Sequence, residues 1–330
     1  MVAPASTPNE RAVTYRTLAS WLVGAPTNHP GWLLLTDPAP DVVALAQPLE
    51  SILAELERVA PARLPGKRRV FRQDVAGFLN LRAELNVGWQ LAHSGATFAF
   101  GGDGQPDYEC SLTPGTVWVE VTTKSRDDLS LLHDELEADL GGQDVVVTLH
   151  VPRKLAISEP DRGTIRARVM TAVKTVKDGH GAVGLPEIGG SASVSSASLF
   201  GRPQVLLEIS SNLTENGEAA ERVILRAIEE KVEQSTRGAW DSDTMLVLDA
   251  SRLGLSWLRP DSVWAGRLES MELPWSELPF IAVAVVFSDL TKLGYHGSCV
   301  AQPDLASSTV AKLALLLQHL DFANKLGDNR

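Results

Sequence analysis

Residues 106–123 read Pro106-Asp107-Tyr108-Glu109-Cys110-Ser111-Leu112-Thr113-Pro114-Gly115-Thr116-Val117-Trp118-Val119-Glu120-Val121-Thr122-Thr123. Thr116–Thr123 is dense in β-branched and aromatic residues and reads as a strand, Thr113-Pro114-Gly115 has turn chemistry, and Asp107–Leu112 reads as the strand before it. A hairpin this short sets two antiparallel strands side by side and brings Asp107 and Glu120 together. Alone, Asp107 reads as a turn or cap aspartate. Glu120 is different: its strand neighbours are apolar, and a carboxylate there costs free energy unless a cation or a donor meets it. The competing reading is an outward-facing position on an edge strand. A hard cation takes oxygen ligands, and two carboxylates, a backbone carbonyl and waters suffice for one.

Upstream, Asp74–His93 is the clearest helix, with Phe78, Leu81, Leu85, Trp89 and Ala92 at three- and four-residue spacing, Asp74 as N-cap and Gly95 closing it. Glu84 borders that apolar stripe and so is expected near the core. Ala96–Phe100 is a short strand. Gly101–Gln105 is a turn, lacking the Lys-Ser/Thr and the following helix of a phosphate loop. Downstream come a helix (Asp127–Leu140), a strand (Asp144–Val151), a helix (Asp161–Lys177) and a long flexible Gly/Ser/Ala-rich loop (179–203). A strand (Gln204–Ile209), a helix (Glu218–Gln234), strands at Thr244–Ala250 and Phe280–Phe287 and a closing helix (Ser308–Lys325) follow. This alternation predicts an α/β or α+β fold, a mixed central sheet flanked by helices. The expected division is an N-terminal helical extension (1–65), an α/β domain (66–300) and a C-terminal helix packing on the core (301–330).

Glu84 on a helix, then Pro106-Asp107-Tyr108, then Val119-Glu120-Val121-Thr122 resembles the restriction-endonuclease-like, or PD-(D/E)XK, nuclease superfamily. Its core runs helix, strand, strand, strand, helix, strand. The resemblance implies a nuclease whose Asp107 and Glu120 bind Mg²⁺ or Mn²⁺, whose Glu84 orients a water or a second ion, and whose substrate is DNA ahead of RNA. Bacterial defence or repair is the setting it suggests. This chain departs from the pattern in one place: the superfamily's lysine would stand at Thr122. Lys124, on the same strand face two residues on, and Lys231, on a later helix, are the candidates to replace it. Without such a lysine, the resemblance implies a catalytically inactive nuclease-fold scaffold in which Glu120 meets a basic side chain in place of a metal.

The rest of the 330 residues bounds these readings. Apolar residues make up 44% and charged residues 22%, ordinary for a globular protein. No run is long enough to span a membrane, and Met1–Arg11 lacks the pattern of a signal peptide. Two cysteines without a CxxC pattern predict a reducing, cytoplasmic setting, and seven scattered histidines without HxH or HExxH speak against zinc. The net charge of −11 requires any nucleic-acid contact to be a local basic patch. Residues 150–178 are locally basic, and Arg153, Lys154, Arg162, Arg166 and Lys177 are the expected phosphate contacts, with a solvated helix face as the alternative. A second basic run, Lys67-Arg68-Arg69, precedes the Asp74–His93 helix.

Overall fold

The computed structural model describes residues 8–37, 39–74, 77–113, 115–123, 128–141, 143–152, 157–176, 180–195, 204–209, 213–238, 240, 243–251, 266–271 and 273–322. The fold is mixed α/β, with two mixed sheets and flanking helices. The chain divides into two compact units. The first holds residues 1–123, 227–251 and 259–330, and the second holds 124–226 and 252–258.

The first unit opens with helices α1 (Pro8–Thr14), α2 (Arg16–Leu22), α3 (Pro30–Thr36), α4 (Pro40–Val59) and α5 (Leu64–Gln73), followed by α6 (Phe78–His93). Its sheet contains β1 (Thr97–Phe100), β2 (Tyr108–Leu112), β3 (Gly115–Thr123), β8 (Thr244–Asp249), β9 (Phe280–Phe287) and β10 (His296–Ala301), in that spatial order. The β1-β2-β3 meander is antiparallel, β3, β8 and β9 run parallel, and β10 returns antiparallel. β8 and β9 are buried along their whole length, as parallel strands covered on both faces must be.

One apolar core serves this unit. Leu18, Trp21, Leu49 and Leu53 of the N-terminal helices join Leu85 and Leu91 of α6, Val117 and Val119 of β3, and Leu313, Leu316 and Leu317 of the closing helix (Ser307–His319). The N-terminal helices therefore share the core of the sheet, and the closing helix contributes to the same core.

The second unit contains α7 (Asp128–Leu140), β4 (Val146–Val151), α8 (Glu159–Thr175), β5 (His180–Leu185), β6 (Gly190–Ser195), β7 (Gln204–Ile209) and the first half of α9 (Leu213–Gly238). Its sheet order is β5-β6-β4-β7, with a separate core of Leu132, Leu136, Val147, Leu149, Ile165 and Val169 among others. It is an insertion between β3 and the second half of α9. The single 66–300 domain expected from sequence is thus interrupted by a unit with its own core.

The expected flexible loop at 179–203 is corrected over its described part. Residues 180–195 form an antiparallel hairpin, pairing His180 with Ser195 and Leu185 with Gly190. The small residues that suggested a loop alternate: Ala192 and Val194 are buried while Ser191, Ser193 and Ser195 face the other way. Gly189, at φ +59°, makes the turn. Residues 196–203 lie outside the described residues.

Candidate active site

The site forms where three local structures meet, all within the first unit. The β2–β3 hairpin pairs Tyr108 with Val119, which sets Asp107 across from the Glu120–Val121 step. The backbone N–H of Val121 donates to Asp107 Oδ2 at 2.9 Å. Gly101 N–H donates to the Asp107 carbonyl at 2.7 Å, extending the β1–β2 pairing past Phe100. A side chain at Gly101 would collide with the Pro106 carbonyl, so this close approach requires glycine.

The helix α6 is held to β2 by Tyr108, whose fully buried hydroxyl donates to the Glu84 carbonyl at 2.7 Å. A Cβ at Gly88 would stand 2.6 Å from that hydroxyl, so glycine lets the helix approach the sheet there. This contact fixes Glu84 beside the hairpin carboxylates. The helix begins at Phe78, four residues after the expected Asp74, whose side chain accepts from Gly77 N–H at 2.7 Å.

Glu120 does not lie on an edge. β3 is interior, paired with β2 on one side and β8 on the other, and the Glu120 side chain is 4% exposed. Its partner is Lys231 on α9, with Nζ 2.5 Å from Glu120 Oε1. Lys231 also donates to Gln234 Oε1 at 2.8 Å, which steadies the ammonium at the carboxylate. Of the two lysine candidates, Lys231 thus reaches Glu120, and Lys124 lies outside the described residues.

Sequence reasoning missed Lys67. Residues 64–73 form the helix α5, where only a basic run leading into the next element was read. Lys67 forms an ion pair with Glu84, and its ammonium sits 5.5 Å from the centre of the Phe100 ring. The available signal was Pro65 in a helix first turn ahead of the basic run.

Three carboxylates and two ammonium groups therefore share one half-buried place. Burial, then the Asp107 charge, pushes Glu84 up to about 8, against the pull of Lys67. Burial and Asp107 push Glu120 up to about 7, against Lys231. Burial likewise raises Asp107, while Lys67, the Val121 N–H and Lys231 pull it down. Lys67 contacts Glu84, Lys231 contacts Glu120, and Asp107 is held by the Val121 N–H and drawn on by both lysines, so that near neutral pH part of the acidic charge is taken up as bound protons.

The linkage sign follows from these shifts. Glu84 has a folded pKa above the ordinary glutamate value of 4.5, so ionisation favours the unfolded chain as pH rises from 4.5 to about 8. Glu84→Gln, which mimics the protonated acid, is expected to gain stability over wild type across that window, by at least about 1 kcal/mol at pH 8. Urea unfolding of both proteins at pH 5 and pH 8 checks this. Equal differences at the two pH values would contradict it.

Beside Asp107 lies a cleft of about 380 Å³ between α5 and the Gly101–Pro106 turn, with Arg63, Lys67 and Arg69 on its wall. The other expected phosphate contacts are placed differently. Arg166 forms a two-pronged pair with Asp139, at 2.7 and 2.8 Å, and Arg162 meets Glu135 at 3.4 Å. These guanidinium groups neutralise the acidic face of α7, against which α8 packs. Arg153, Lys154 and Lys177 lie outside the described residues.

In the second unit, His150 bridges Glu208 (2.8 Å) and Ser193 (3.0 Å), the hydrogen-bond order of a serine hydrolase relay. Ser193 sits on β6, paired on both sides, so the ladder engages the strand's own backbone amides. Among the described residues, no group of three or more His, Cys, Asp or Glu side chains is arranged to hold a metal ion, and no helix is long and apolar enough to cross a membrane. Searches of protein-family models, of curated proteins and of solved structures returned no match to this chain.

Proposed function

We propose that the protein is a metal-dependent nuclease that hydrolyses phosphodiester bonds of DNA, with its centre at Asp107, Glu120, Glu84 and Lys231. The observation that carries the proposal is the convergence of three carboxylates and two ammonium groups on one largely buried place, where Glu84 is pushed up to about 8 and Glu120 up to about 7. A purely structural ion pair does not need a third carboxylate beside it, and gathering acidic groups out of water costs free energy. Strained charge of this kind is what functional sites accumulate.

The order α6, β1, β2, β3, α9, β8, with β3 and β8 parallel, also supports reading the first unit as restriction-endonuclease-like. On that reading Lys231 from α9 stands in for the lysine that Thr122 replaces.

The residues suit a hard cation. Asp107 spends Oδ2 on Val121 N–H and Glu120 spends Oε1 on Lys231, so each would offer its other oxygen. A divalent cation held there would lower the pKa of a water and offset phosphate charge. Glu84, poised near neutrality, can accept a proton from the attacking water. Lys231 can donate hydrogen bonds to the water or to the phosphate oxygens, and Lys67 holds Glu84 in place.

One observation favours a second reading, a nuclease-fold scaffold without catalysis: Lys231 already occupies Glu120 and Lys67 occupies Glu84, so of the three carboxylates Asp107 alone has no direct lysine contact. Incubation of the purified protein with single- and double-stranded DNA and RNA, in Mg²⁺, Mn²⁺ or EDTA, separates the two. Cleavage that needs metal and vanishes in Glu120→Gln is the expected result. No cleavage of any substrate would move the assignment to the scaffold, and cleavage that EDTA leaves intact would overturn the metal-dependent centre.

A further inference from the structure

The basic cleft beside Asp107 is built in a way the catalytic residues do not require. In a chain of net charge −11, the start of α5 brings Arg63, Lys67 and Arg69 to one cleft, which Asp103 and Asp107 also line. Arg63 stands at the N-cap of α5 and Lys67 in its first turn, where the helix dipole disfavours positive charge. Arg63 is held in the left-handed region at φ +66°, which costs a non-glycine residue energy. Its guanidinium is fixed by the Phe100 carbonyl (3.1 Å) and Gln105 Oε1 (3.3 Å). The facing Gly101–Pro106 turn is itself pinned by Trp240, whose indole N–H donates to the Gly104 carbonyl at 2.7 Å. Arg69 is exposed on the same wall. Unfavourable helix position, backbone strain and clustered like charge all converge on a concave space that ends at Asp107.

We infer that this cleft binds a phosphate group of the substrate strand, adjacent to the phosphate held at Asp107 and Glu120. The inference rests on the nuclease reading and adds where the strand runs: over α5. At about 380 Å³ the space is near the small end of ligand pockets, roughly 300–1,000 Å³. It has room for about one nucleotide, which favours a flexible single strand over a stacked duplex. Arg63 and Arg69 supply forked donors suited to phosphate oxygens, and Lys67 links the cleft to Glu84.

The test is fluorescence anisotropy of a labelled ten-nucleotide single-stranded DNA in EDTA, with wild type, Arg69→Glu and Arg63→Gln, over a series of salt concentrations. Arg69→Glu should weaken binding about tenfold or more and reduce the salt slope by about one, whatever the base sequence. Arg63→Gln should weaken it in the same direction. Blunt duplex should bind more weakly than single strand to wild type. Unchanged binding in both variants, or no binding by wild type, would overturn the cleft assignment. Binding that follows the predicted pattern without cleavage in Mg²⁺ or Mn²⁺ would keep the cleft and sink the nuclease. Cleavage with unchanged Arg69→Glu binding would do the reverse.

Discussion

Asp107→Asn is expected to abolish metal-dependent cleavage while making the protein more stable. Asparagine keeps the shape, and its carbonyl oxygen can still accept from Val121 N–H, as Asp107 Oδ2 does at 2.9 Å. It removes the one carboxylate that neither Lys67 nor Lys231 neutralises by direct contact. Glu84 and Glu120 are both raised by the Asp107 charge, so both should titrate at lower pH in the variant. Relief of that repulsion is worth about 1 kcal/mol, seen as a rise in Tm of roughly 2 °C. On the proposed reading, the same charge would hold a cation and through it the phosphate. Its loss should cost about 4 kcal/mol of transition-state stabilisation, a fall in cleavage rate of about a thousandfold. A stability gain bought with activity marks a site that function keeps strained. A variant that cleaves normally, or that is much less stable than wild type, would show that Asp107 is a structural turn residue.

The second unit and the first differ in how much of them could be read beforehand. The helix α6 and the β1–β2–β3 meander were legible because their cues are local: the three- and four-residue spacing of Leu81, Leu85 and Trp89, the glycine turn at 101–104 and the β-branched run around Glu120. The proximity of Asp107 and Glu120 followed from the hairpin alone. Whether Glu120 was interior could not follow, because β8 pairs with β3 across a separation of more than 120 residues. Nor could the choice between lysines. Strand periodicity pointed to Lys124, whereas Lys231 meets Glu120 through packing of a helix whose first half belongs to the inserted unit. The insertion was hidden because its elements, alternating helices and strands, resemble those of the fold they interrupt. The basic face of α8 was visible, but its neutralisation by Glu135 and Asp139 depends on α7 packing beside it. Lys67 was missed because α5 is mostly polar and carries few residues of a buried face.

Lys231 offers the sharper division between catalysis and scaffolding, since both readings need the ammonium group at Glu120. Lys231→Met leaves the Glu120 carboxylate in an interior strand without its 2.5 Å partner. Breaking a buried pair costs about 3–5 kcal/mol, and the partial exposure of Lys231, together with protonation of Glu120, should reduce this to about 2 kcal/mol near pH 7. The double variant Lys231→Met/Glu120→Gln should recover most of that loss, because no uncompensated charge remains. Neither variant should cleave. Lys231→Arg separates the roles: it keeps the positive charge, so the denaturation midpoint should stay close to wild type. Its planar, delocalised guanidinium cannot place a compact ammonium against the water or the phosphate, so cleavage should fall at least about a hundredfold. Equilibrium urea unfolding and single-turnover cleavage of the three variants measure both effects. Full cleavage by Lys231→Arg would reduce Lys231 to a counter-ion, and a double variant no more stable than Lys231→Met would show that the ion pair is not what α9 contributes at β3.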